Sequence, residues 1–227
     1  MGKKKSSWLS PTKQKALDER LKKEKNKKIV MFVLLGIAIL IGISVMTMGI
    51  VMASRPYYAD IVVEGYGTIT IELNGKEAPK TVENFVKLAQ SGFYDGTTFN
   101  MKGSEGTLCG GRAKDGQAPA SIKGEFSKNG VDNGISHMRG TISMNRLVKE
   151  DGSSQTDEHY YNSANSEFFI VQKDYLKLDG YFAGFGTVIS GMDVVDRIFN
   201  EMEADETGAV AKENQPVIKS ITIKRSK

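Results

Sequence analysis

The sequence predicts a mainly β domain, built as a barrel or a sandwich covered by helices, behind one transmembrane helix. Three observations support this prediction. An uncharged apolar run lies near the N-terminus, many short apolar or alternating segments are bounded by Gly, Asn and Asp, and two segments carry apolar residues at helical spacing. Beyond the apolar run of this 227-residue chain, about 170 residues remain, which suits one compact domain.

Residues 1–28 form a basic tail. They contain eleven Lys or Arg against three Asp or Glu, so their net charge is +8, and since the whole chain carries +4 the remainder carries −4. Ser10 and Pro11 suit the start of a helix in this tail. The tail is expected to be cytoplasmic, because basic flanks mark the cytoplasmic side of a membrane helix. The basic charge therefore does not indicate a nucleic-acid partner.

Residues 29–53 form the predicted transmembrane helix. The run is uncharged, and only Ser44 and Thr47 carry polar side chains. At about 1.5 Å per residue it reaches about 37 Å, whereas the hydrocarbon core of a bilayer is about 30 Å thick. A cleaved signal peptide is the alternative, because small residues precede Ser54, but the apolar region of a signal is only about 7 to 15 residues long. We expect a single-pass cell-membrane protein whose C-terminal domain is extracytoplasmic.

Residues 54–58 are predicted to be a linker and residues 59–227 the exported domain. The domain opens with DIVVEGYGTITIEL, which predicts two strands joined at residues 65–67. In the second strand, every second residue from Ile69 to Leu73 is apolar. One face of this strand is therefore expected to be buried and the other to face water.

Two helices and four more strands are predicted beyond these. The segment APKTVENFVKLAQSGFY has apolar residues at i, i+3, i+4 and i+7 from Val82, with Pro79 near its start and Gly92 beyond its end. The segment SGMDVVDRIFNEM has an apolar stripe, and its Ser190 and Asp193 suit a capping box. The segments GTISM, EFFIVQ, GFGTVI and PVIKSITIK predict strands.

The chain has one cysteine, Cys109, and two histidines, His137 and His159. A single cysteine excludes an intrachain disulfide and a thiolate metal cluster within the chain. Its thiol is expected to be buried or reactive, and burial is the ordinary state of a free cysteine. His159 lies among acidic residues, but no fixed spacing of metal ligands is present. We expect no metal site.

The short motifs of the domain follow a specific order. They run APKTVENFVKLAQSGFYDGTTF, GG, KGEF, SHMRGTISM, NSANSEFFI, LDG and FGTVISGMDVVDRI. This order resembles the cyclophilin-type peptidyl-prolyl cis-trans isomerases, bacterial members above all, across almost all of residues 59–224. The resemblance implies a closed eight-stranded antiparallel β-barrel capped by two α-helices, a proline-binding groove on one face, and no cofactor.

The reaction of that family is rotation about an X-Pro bond, which is opposed by a barrier of about 18 to 20 kcal/mol. Catalysis needs an apolar pocket for the proline ring and a hydrogen-bond donor to the prolyl nitrogen in the twisted state. In the family, the arginine of a Phe-His-Arg motif is that donor. The matching stretch here is Phe99, Asn100 and Met101, with Cys109 at the groove glutamine. The arginine position is thus Met101, whose thioether cannot donate.

The resemblance also implies a substrate groove that matches the family only in part. Gly106 and Thr107 replace an aromatic residue and a methionine, Lys177 replaces a tryptophan, and Phe182 replaces a histidine. The residues that the resemblance places in the groove are Phe99, Cys109, Met144, Asn145, Glu167, Phe169, Leu178 and Phe182.

Another basic residue could supply the missing donor. Arg146 occupies the asparagine position of the family's Ser-Met-Ala-Asn motif, near the groove, and is the predicted relocated donor. Arg112 and Lys102 are alternatives, although surface charge or loop anchoring is the ordinary role of such residues. Glu167, at a glutamine position of the family, is expected to form an ion pair with Arg146 or Lys177 or to select basic peptides.

Two functions are compatible with these residues. The first is a membrane-anchored prolyl isomerase that assists the folding of proline-containing exported polypeptides, since uncatalysed isomerisation is slow enough to limit folding. Loss of one preorganised donor costs about 10²- to 10³-fold in rate, so a weak catalyst is compatible with Met101. The second is a non-catalytic cyclophilin-like module that binds peptides as a chaperone or scaffold, which the combined changes in the groove favour. The sequence predicts no particular oligomeric state.

Overall fold

The computed structural model describes residues 11–53, 57–148 and 158–225, and in the first range it describes the side chains of residues 12–15, 17–37 and 39. The chain divides into two compact units, Met1–Arg55 and Pro56–Lys227. The first unit contains helix α1, Pro11–Ala53. The second contains a β-barrel.

Helix α1 begins at Pro11, as the sequence predicts for the tail, and continues through residues 29–53. In the portion of the chain with described structure, no helix is long and apolar enough to cross a membrane. The side chains of residues 40–53 lie outside the described residues. The transmembrane helix stays a prediction.

Eight antiparallel strands form a closed barrel in the second unit. The strands are β1 (Tyr57–Val63), β2 (Gly67–Leu73), β3 (Thr97–Gly103), β4 (Thr107–Gly110), β5 (Thr141–Met144), β6 (Phe168–Val171), β7 (Ala183–Ser190) and β8 (Val217–Arg225). Around the barrel their order is β1, β2, β7, β5, β6, β4, β3, β8, and β8 pairs again with β1. This architecture confirms the eight-stranded antiparallel barrel that the resemblance implied.

The first hairpin of the barrel follows the sequence pattern closely. β1 and β2 pair along their whole length, from Tyr57 opposite Leu73 to Val63 opposite Gly67. The apolar residues from Ile69 to Leu73 are buried, and the polar residues between them are half-buried or exposed. The alternation of the sequence therefore predicts the buried face of this hairpin correctly.

Within residues 57–148 and 158–225, three α-helices accompany the barrel: α2 (Pro79–Gln90), α3 (Glu158–Tyr161) and α4 (Met192–Glu201). Helices α2 and α4 are the two that the apolar spacing predicts. α2 packs against β7 and β8, whereas α4 packs against β2. The apolar stripes of the two helices face the barrel, which leaves their polar faces to the solvent.

The predicted capping box of α4 is wrong. The N-cap residue is Gly191, and no side-chain cap bond forms there. Its φ of 89° lies in the left-handed region, and a Cβ at this position would lie 2.4 Å from the carbonyl oxygen of Thr68. A glycine is needed because the chain turns tightly against β2 before the helix begins.

An aromatic cluster ties α2 to the barrel. Phe85 of α2 is fully buried, and its ring centroid lies 5.2 Å from those of Tyr94 and Phe185 and 5.8 Å from that of Phe168. Phe168 in turn meets Phe99 edge to face at 6.1 Å. Such aromatic pairs add to the stabilisation from buried apolar area. The cluster therefore fixes β3, β6 and β7 with respect to α2.

The buried carboxylate of Glu125 caps the first turn of α2. It accepts hydrogen bonds from the backbone N–H groups of Lys80 (3.1 Å) and Thr81 (2.8 Å) and from the Thr81 hydroxyl (2.8 Å). A negative charge is favourable at a helix N-terminus, where N–H groups lack partners within the helix. This contact holds the long segment between β4 and β5 against α2.

Glu125→Ala is expected to lower the free energy of unfolding by about 2 to 4 kcal/mol, because buried donors lose their acceptor. Urea unfolding of the full chain, followed by near-ultraviolet circular dichroism, measures the change. Glu213→Ala is the control, since Glu213 is exposed in a short 3-10 turn and its loss is expected to cost less than about 0.5 kcal/mol. Equal destabilisation by the two variants would contradict the capping role of Glu125.

Candidate functional site

An apolar cluster lies on the outer face of β4 and β6, separate from the barrel core. Leu108 and Ile170 point into the core, whereas their neighbours Cys109 and Phe169 point to the other side, as expected for strands whose side chains alternate. We call this set the groove cluster. It consists of the buried Cys109, Phe169 and Val171, with Met101, Leu178 and Phe182 packed against them.

Backbone pairing brings most of these side chains together. Met101 on β3 is opposite Cys109 on β4, and Cys109 is opposite Phe169 on β6. Leu178 and Phe182 come from the segment between β6 and β7, and the rings of Phe169 and Phe182 meet edge to face with centroids 5.5 Å apart. The structure therefore brings together five of the residues that the resemblance named for the site.

Two predicted groove residues lie elsewhere. Phe99 and Met144 are 0% and 1% exposed and belong to the barrel core. Phe99 and Met101 would share a face on a regular strand, but the register of β3 against β4 shifts between them. This β-bulge turns Phe99 inward and Met101 outward. Phe99 and Met144 therefore shape the core and do not line the groove.

The buried imidazole of His137 packs against the groove cluster. Its Nδ1 donates to the carboxylate of Asp179 (2.8 Å), and its Nε2 accepts from the hydroxyl of Ser143 (3.0 Å). The backbone N–H of His137 also donates to Asp179 (2.7 Å). The ring stacks on Phe169 with a centroid distance of 5.9 Å. His137 thus connects β5, β6 and the segment that carries Leu178.

Burial lowers the pKa of His137, although Asp179 opposes that effect. For Asp179, burial acts to raise the pKa, but the hydrogen bonds from His137 and Ser136 outweigh it and leave the pKa lowered. The imidazole is therefore neutral and the carboxylate ionised near pH 7. An ionised carboxylate only accepts, which fixes the proton of the imidazole on Nδ1.

Arg146, the predicted relocated donor, is buried in a cage of aromatic rings. Its Nε donates to the carbonyl oxygen of Tyr181 (2.8 Å), and its Nη1 donates to that of Leu147 (3.0 Å). The guanidinium carbon lies 4.6 Å from the ring centroid of Phe182 and 5.2 Å from that of Tyr161. Burial lowers the pKa of Arg146. These contacts disfavour a role for Arg146 as donor to a substrate. They indicate that Arg146 stabilises the segment that contains Tyr181 and Phe182.

An ion pair at the rim of the groove joins Glu167 to Arg112, a partner other than those that the sequence predicted. Glu167 accepts from Nε of Arg112 at 2.8 Å and from its Nη2 at 3.4 Å. The amide of Asn145 lies 3.4 Å from the same carboxylate. The expected pairing of Glu167 with Arg146 or Lys177 is therefore corrected, because Arg146 is committed to backbone carbonyl groups.

The thiol of Cys109 is buried, as predicted. Burial raises its pKa to about 12, and the charge of Glu167 adds to that effect, while a hydrogen bond with Thr107 and the charge of Arg112 lower it. At neutral pH the thiol is protonated, which argues against a reactive cysteine. Cys109 contributes a short apolar side chain to the groove cluster.

The site has no grouping that suggests a metal. Within residues 11–53, 57–148 and 158–225, no three side chains of His, Cys, Asp or Glu are arranged to hold an ion. His137 is fully used by Asp179 and Ser143. The chemistry available at the groove is that of an apolar surface with hydrogen-bond donors at its rim.

Sequence reasoning missed two contributors to this site. Val171 follows Phe169 by two positions on β6, and this alternation is the signal that identifies it. Arg112 was named only as an alternative donor, because its contact with Glu167 spans 55 positions in the sequence and no local pattern reports such a contact.

Comparison with known proteins agrees with the family resemblance and with the barrel. A family model described as "Cyclophilin type peptidyl-prolyl cis-trans isomerase/CLD" matches residues 58–227. Peptidyl-prolyl cis-trans isomerase A of Dickeya dadantii is 34% identical over 146 residues, which are 63% of this chain and 70% of that protein. Peptidyl-prolyl cis-trans isomerase cyp18 of Streptomyces antibioticus is 36% identical over 161 residues, which are 67% of this chain and 89% of that protein.

A solved structure supports the fold. The Cryptosporidium parvum cyclophilin type peptidyl-prolyl cis-trans isomerase superposes with a TM-score of 0.61 at 22% identity, covering 76% of this chain and 99% of that one. At this identity the similarity concerns the architecture of the barrel.

Acidification is expected to destabilise the domain through His137. Its folded pKa is lowered, so below the unfolded value of about 6.5 the unfolded chain binds the proton more readily. The contribution of His137 is intact above that pH and is lost as the pH falls toward the lower folded pKa. Urea unfolding of the full chain between pH 7.5 and pH 5 measures the slope.

The other histidine provides the control for this measurement. His159→Gln is expected to keep the pH dependence, because His159 is exposed, whereas His137→Gln should lower stability at pH 7.5 and flatten the curve. A curve that flattens only in His159→Gln would show that His137 is not responsible.

Proposed function

Because the chain belongs to the family of cyclophilin-type peptidyl-prolyl cis-trans isomerases, we propose that it catalyses rotation about X-Pro bonds at the groove cluster. The observation that carries this proposal is the convergence of Met101, Cys109, Phe169, Leu178 and Phe182 on one face of the barrel. An apolar surface of this kind suits a proline ring, which has no donor of its own.

The reaction needs no covalent intermediate. A proline ring held against Phe169 and Leu178 is fixed while the preceding carbonyl group rotates. The amide nitrogen loses conjugation in the twisted state and becomes a better acceptor, so a donor there stabilises the transition state selectively. Met101 offers no donor at the position that the resemblance assigns to arginine. We therefore expect catalysis that is weaker than an arginine at position 101 would give.

A second candidate function is peptide binding without catalysis. Two residues of the groove cluster favour it. Neither Met101 nor the buried, protonated Cys109 presents a strong hydrogen-bond donor to a bound peptide. In that case the groove cluster holds proline-containing or extended segments as a chaperone or scaffold. Binding without acceleration of exchange separates this function from the first.

The proposed setting is the outer face of the cell membrane. The uncharged run of residues 29–53 and the net charge of +8 on residues 1–28 support an anchor with a cytoplasmic N-terminus. The groove would then meet exported polypeptides that contain proline. Uncatalysed isomerisation takes tens of seconds or more, which is slow enough to limit the folding of such polypeptides.

Catalysis is tested by the cis/trans exchange of an Ala-Pro peptide, measured by exchange spectroscopy with catalytic amounts of the full chain in a mild detergent. We expect the unmodified chain to accelerate exchange and Met101→Arg to accelerate it further, by about 10- to 100-fold, because a preorganised donor is added. Met138→Arg is the control, since Met138 is exposed and lies outside the groove cluster.

The two functions give different results in this experiment. Peptide binding that perturbs the groove without accelerating exchange would favour the binding module. Rescue by Met101→Arg in that case would show that the pocket is competent and that only the donor is missing. Absence of both binding and exchange would contradict both functions.

The anchor is tested by cell fractionation. The full chain is expected to sediment with membranes and to resist extraction at alkaline pH, because an uncharged, largely apolar run of 25 residues buries enough surface for stable insertion. Protease added outside intact protoplasts should digest residues 59–227. A variant lacking residues 29–53 should become extractable, and full extraction of the unmodified chain would contradict the anchor.

A further inference from the structure

Catalysis at the groove cluster requires a hydrogen-bond donor near the prolyl nitrogen. Four basic side chains are candidates, because each lies near a member of the cluster in the sequence or in space. Lys102 donates from Nζ to the carbonyl oxygen of Met202 (3.1 Å) and lies over the ring of Phe199 at 4.8 Å. It therefore points toward α4. Arg146 is held by carbonyl groups in its aromatic cage. Lys177 and Arg112 remain.

Arg112 differs from Lys177 in having a fixed position. Glu167 holds two nitrogens of its guanidinium, Nε at 2.8 Å and Nη2 at 3.4 Å. Its Nη1 has no partner among the residues that the structure describes, so two N–H groups stay available. Lys177 has no ion pair that would hold its flexible side chain, again within the described residues.

Arg112 lies next to the strands of the groove cluster. Arg112 follows the end of β4 by two positions, three positions after Cys109, and its partner Glu167 directly precedes β6. Cys109 is the central member of the cluster, since it is opposite both Met101 and Phe169. The fork of Arg112 is therefore adjacent to the strand that faces the expected proline ring.

The backbone explains how Arg112 reaches this place. β4 ends at Gly110, and Gly111 follows with φ of 81°. A Cβ at Gly111 would lie 2.8 Å from the ring of Phe168. Only glycine allows the chain to turn so closely over the barrel before Arg112. Glu167, directly before β6, then fixes the guanidinium across the end of β4.

Glu167 connects the donor to the rest of the groove. Its carboxylate binds Arg112 beyond β4, lies 3.4 Å from the amide of Asn145 beyond β5, and precedes Phe169 by two positions. The side chain of Arg112 is 60% exposed and that of Glu167 is 24% exposed. A peptide bound on the groove cluster would cover part of this pair and strengthen hydrogen bonds made there.

We propose that Arg112, positioned by Glu167, is the hydrogen-bond donor to the prolyl nitrogen in this protein. This inference rests on the proposed isomerase function. The step is a rotation about one C–N bond, so no bond forms or breaks and no proton is transferred. Nη1 donates to the pyramidal nitrogen of the twisted state, while Nε and Nη2 remain on Glu167. Arg112 thus takes the role that Met101 cannot fill.

The pKa of Arg112 is consistent with this role. The hydrogen bond that Arg112 donates to Glu167 raises this pKa, and burial lowers it by a smaller amount. The guanidinium is therefore protonated at every pH at which the domain is folded, and exchange catalysis should not depend on the ionisation of Arg112.

The test compares Arg112→Gln, Arg112→Lys and Glu167→Gln in the full chain, using the same Ala-Pro peptide. Arg112→Gln is expected to lower kcat/KM about 100-fold through kcat, while the Kd of the peptide from an NMR titration stays within about twofold. Arg112→Lys should retain part of the activity, because an ammonium group donates but lacks the fork. Glu167→Gln should give an intermediate loss, since Arg112 is no longer fixed.

Arg197→Gln is the matched control. Arg197 is likewise an exposed arginine near a carboxylate, Glu201, but it lies over Tyr66 beside the β1–β2 turn, far from β4 and β6 in barrel order. The activity of the Arg197→Gln variant should equal that of the unmodified chain.

Unchanged exchange in Arg112→Gln would overturn the donor assignment while leaving the isomerase function intact. Absence of exchange catalysis by the unmodified chain would overturn both. A rise in peptide Kd equal to the loss of kcat/KM would overturn the donor role and show that Arg112 only binds.

Discussion

The groove depends on the buried hydrogen bonds of His137. Three parts of the chain must meet for the groove cluster to exist: β5, β6 and the segment that carries Leu178 and Phe182. His137 joins them through Ser143, Phe169 and Asp179. A buried imidazole without both partners would leave polar atoms unsatisfied in an apolar setting, which is costly. The geometry of the groove and the stability of the barrel are therefore linked at this one residue.

The groove cluster that His137 holds together is an apolar surface, and polar side chains such as Arg112 and Glu167 lie at its rim. Two arginines near the surface have different roles, which follow from burial. Arg146 is enclosed by Phe182, Tyr161 and backbone carbonyl groups, so it stabilises one wall. Arg112 is exposed and fixed by Glu167, so one end of its fork stays open to a bound peptide. In this account the fold is retained from the family, while the donor is supplied from a different strand end.

The sequence predicts the parts of this structure that depend on local patterns. Alternation from Ile69 to Leu73 identifies a strand with one buried face, and the spacing from Val82 identifies α2. The placement of Phe99 in the groove, which the resemblance implied, is wrong because of the bulge that turns Phe99 inward and Met101 outward. Local patterns also fail for contacts that join distant segments. The contact of Glu125 with the first turn of α2 and the contact of Glu167 with Arg112 are of this kind. No pattern in the sequence around either glutamate predicts its partner. The resemblance named most members of the groove cluster, whereas Val171 and the contacts of His137 were found only in the structure.

The most direct test of this account asks where a proline ring binds. In full chain carrying 13C-labelled Met and Leu methyl groups, nuclear Overhauser effects from the proline ring of a bound Ala-Pro peptide identify the nearest side chains. Binding at the groove predicts contacts to the methyl groups of Met101 and Leu178, both of which belong to the groove cluster. Contacts only to Met138 and Leu176, which are exposed outside that cluster, would contradict it.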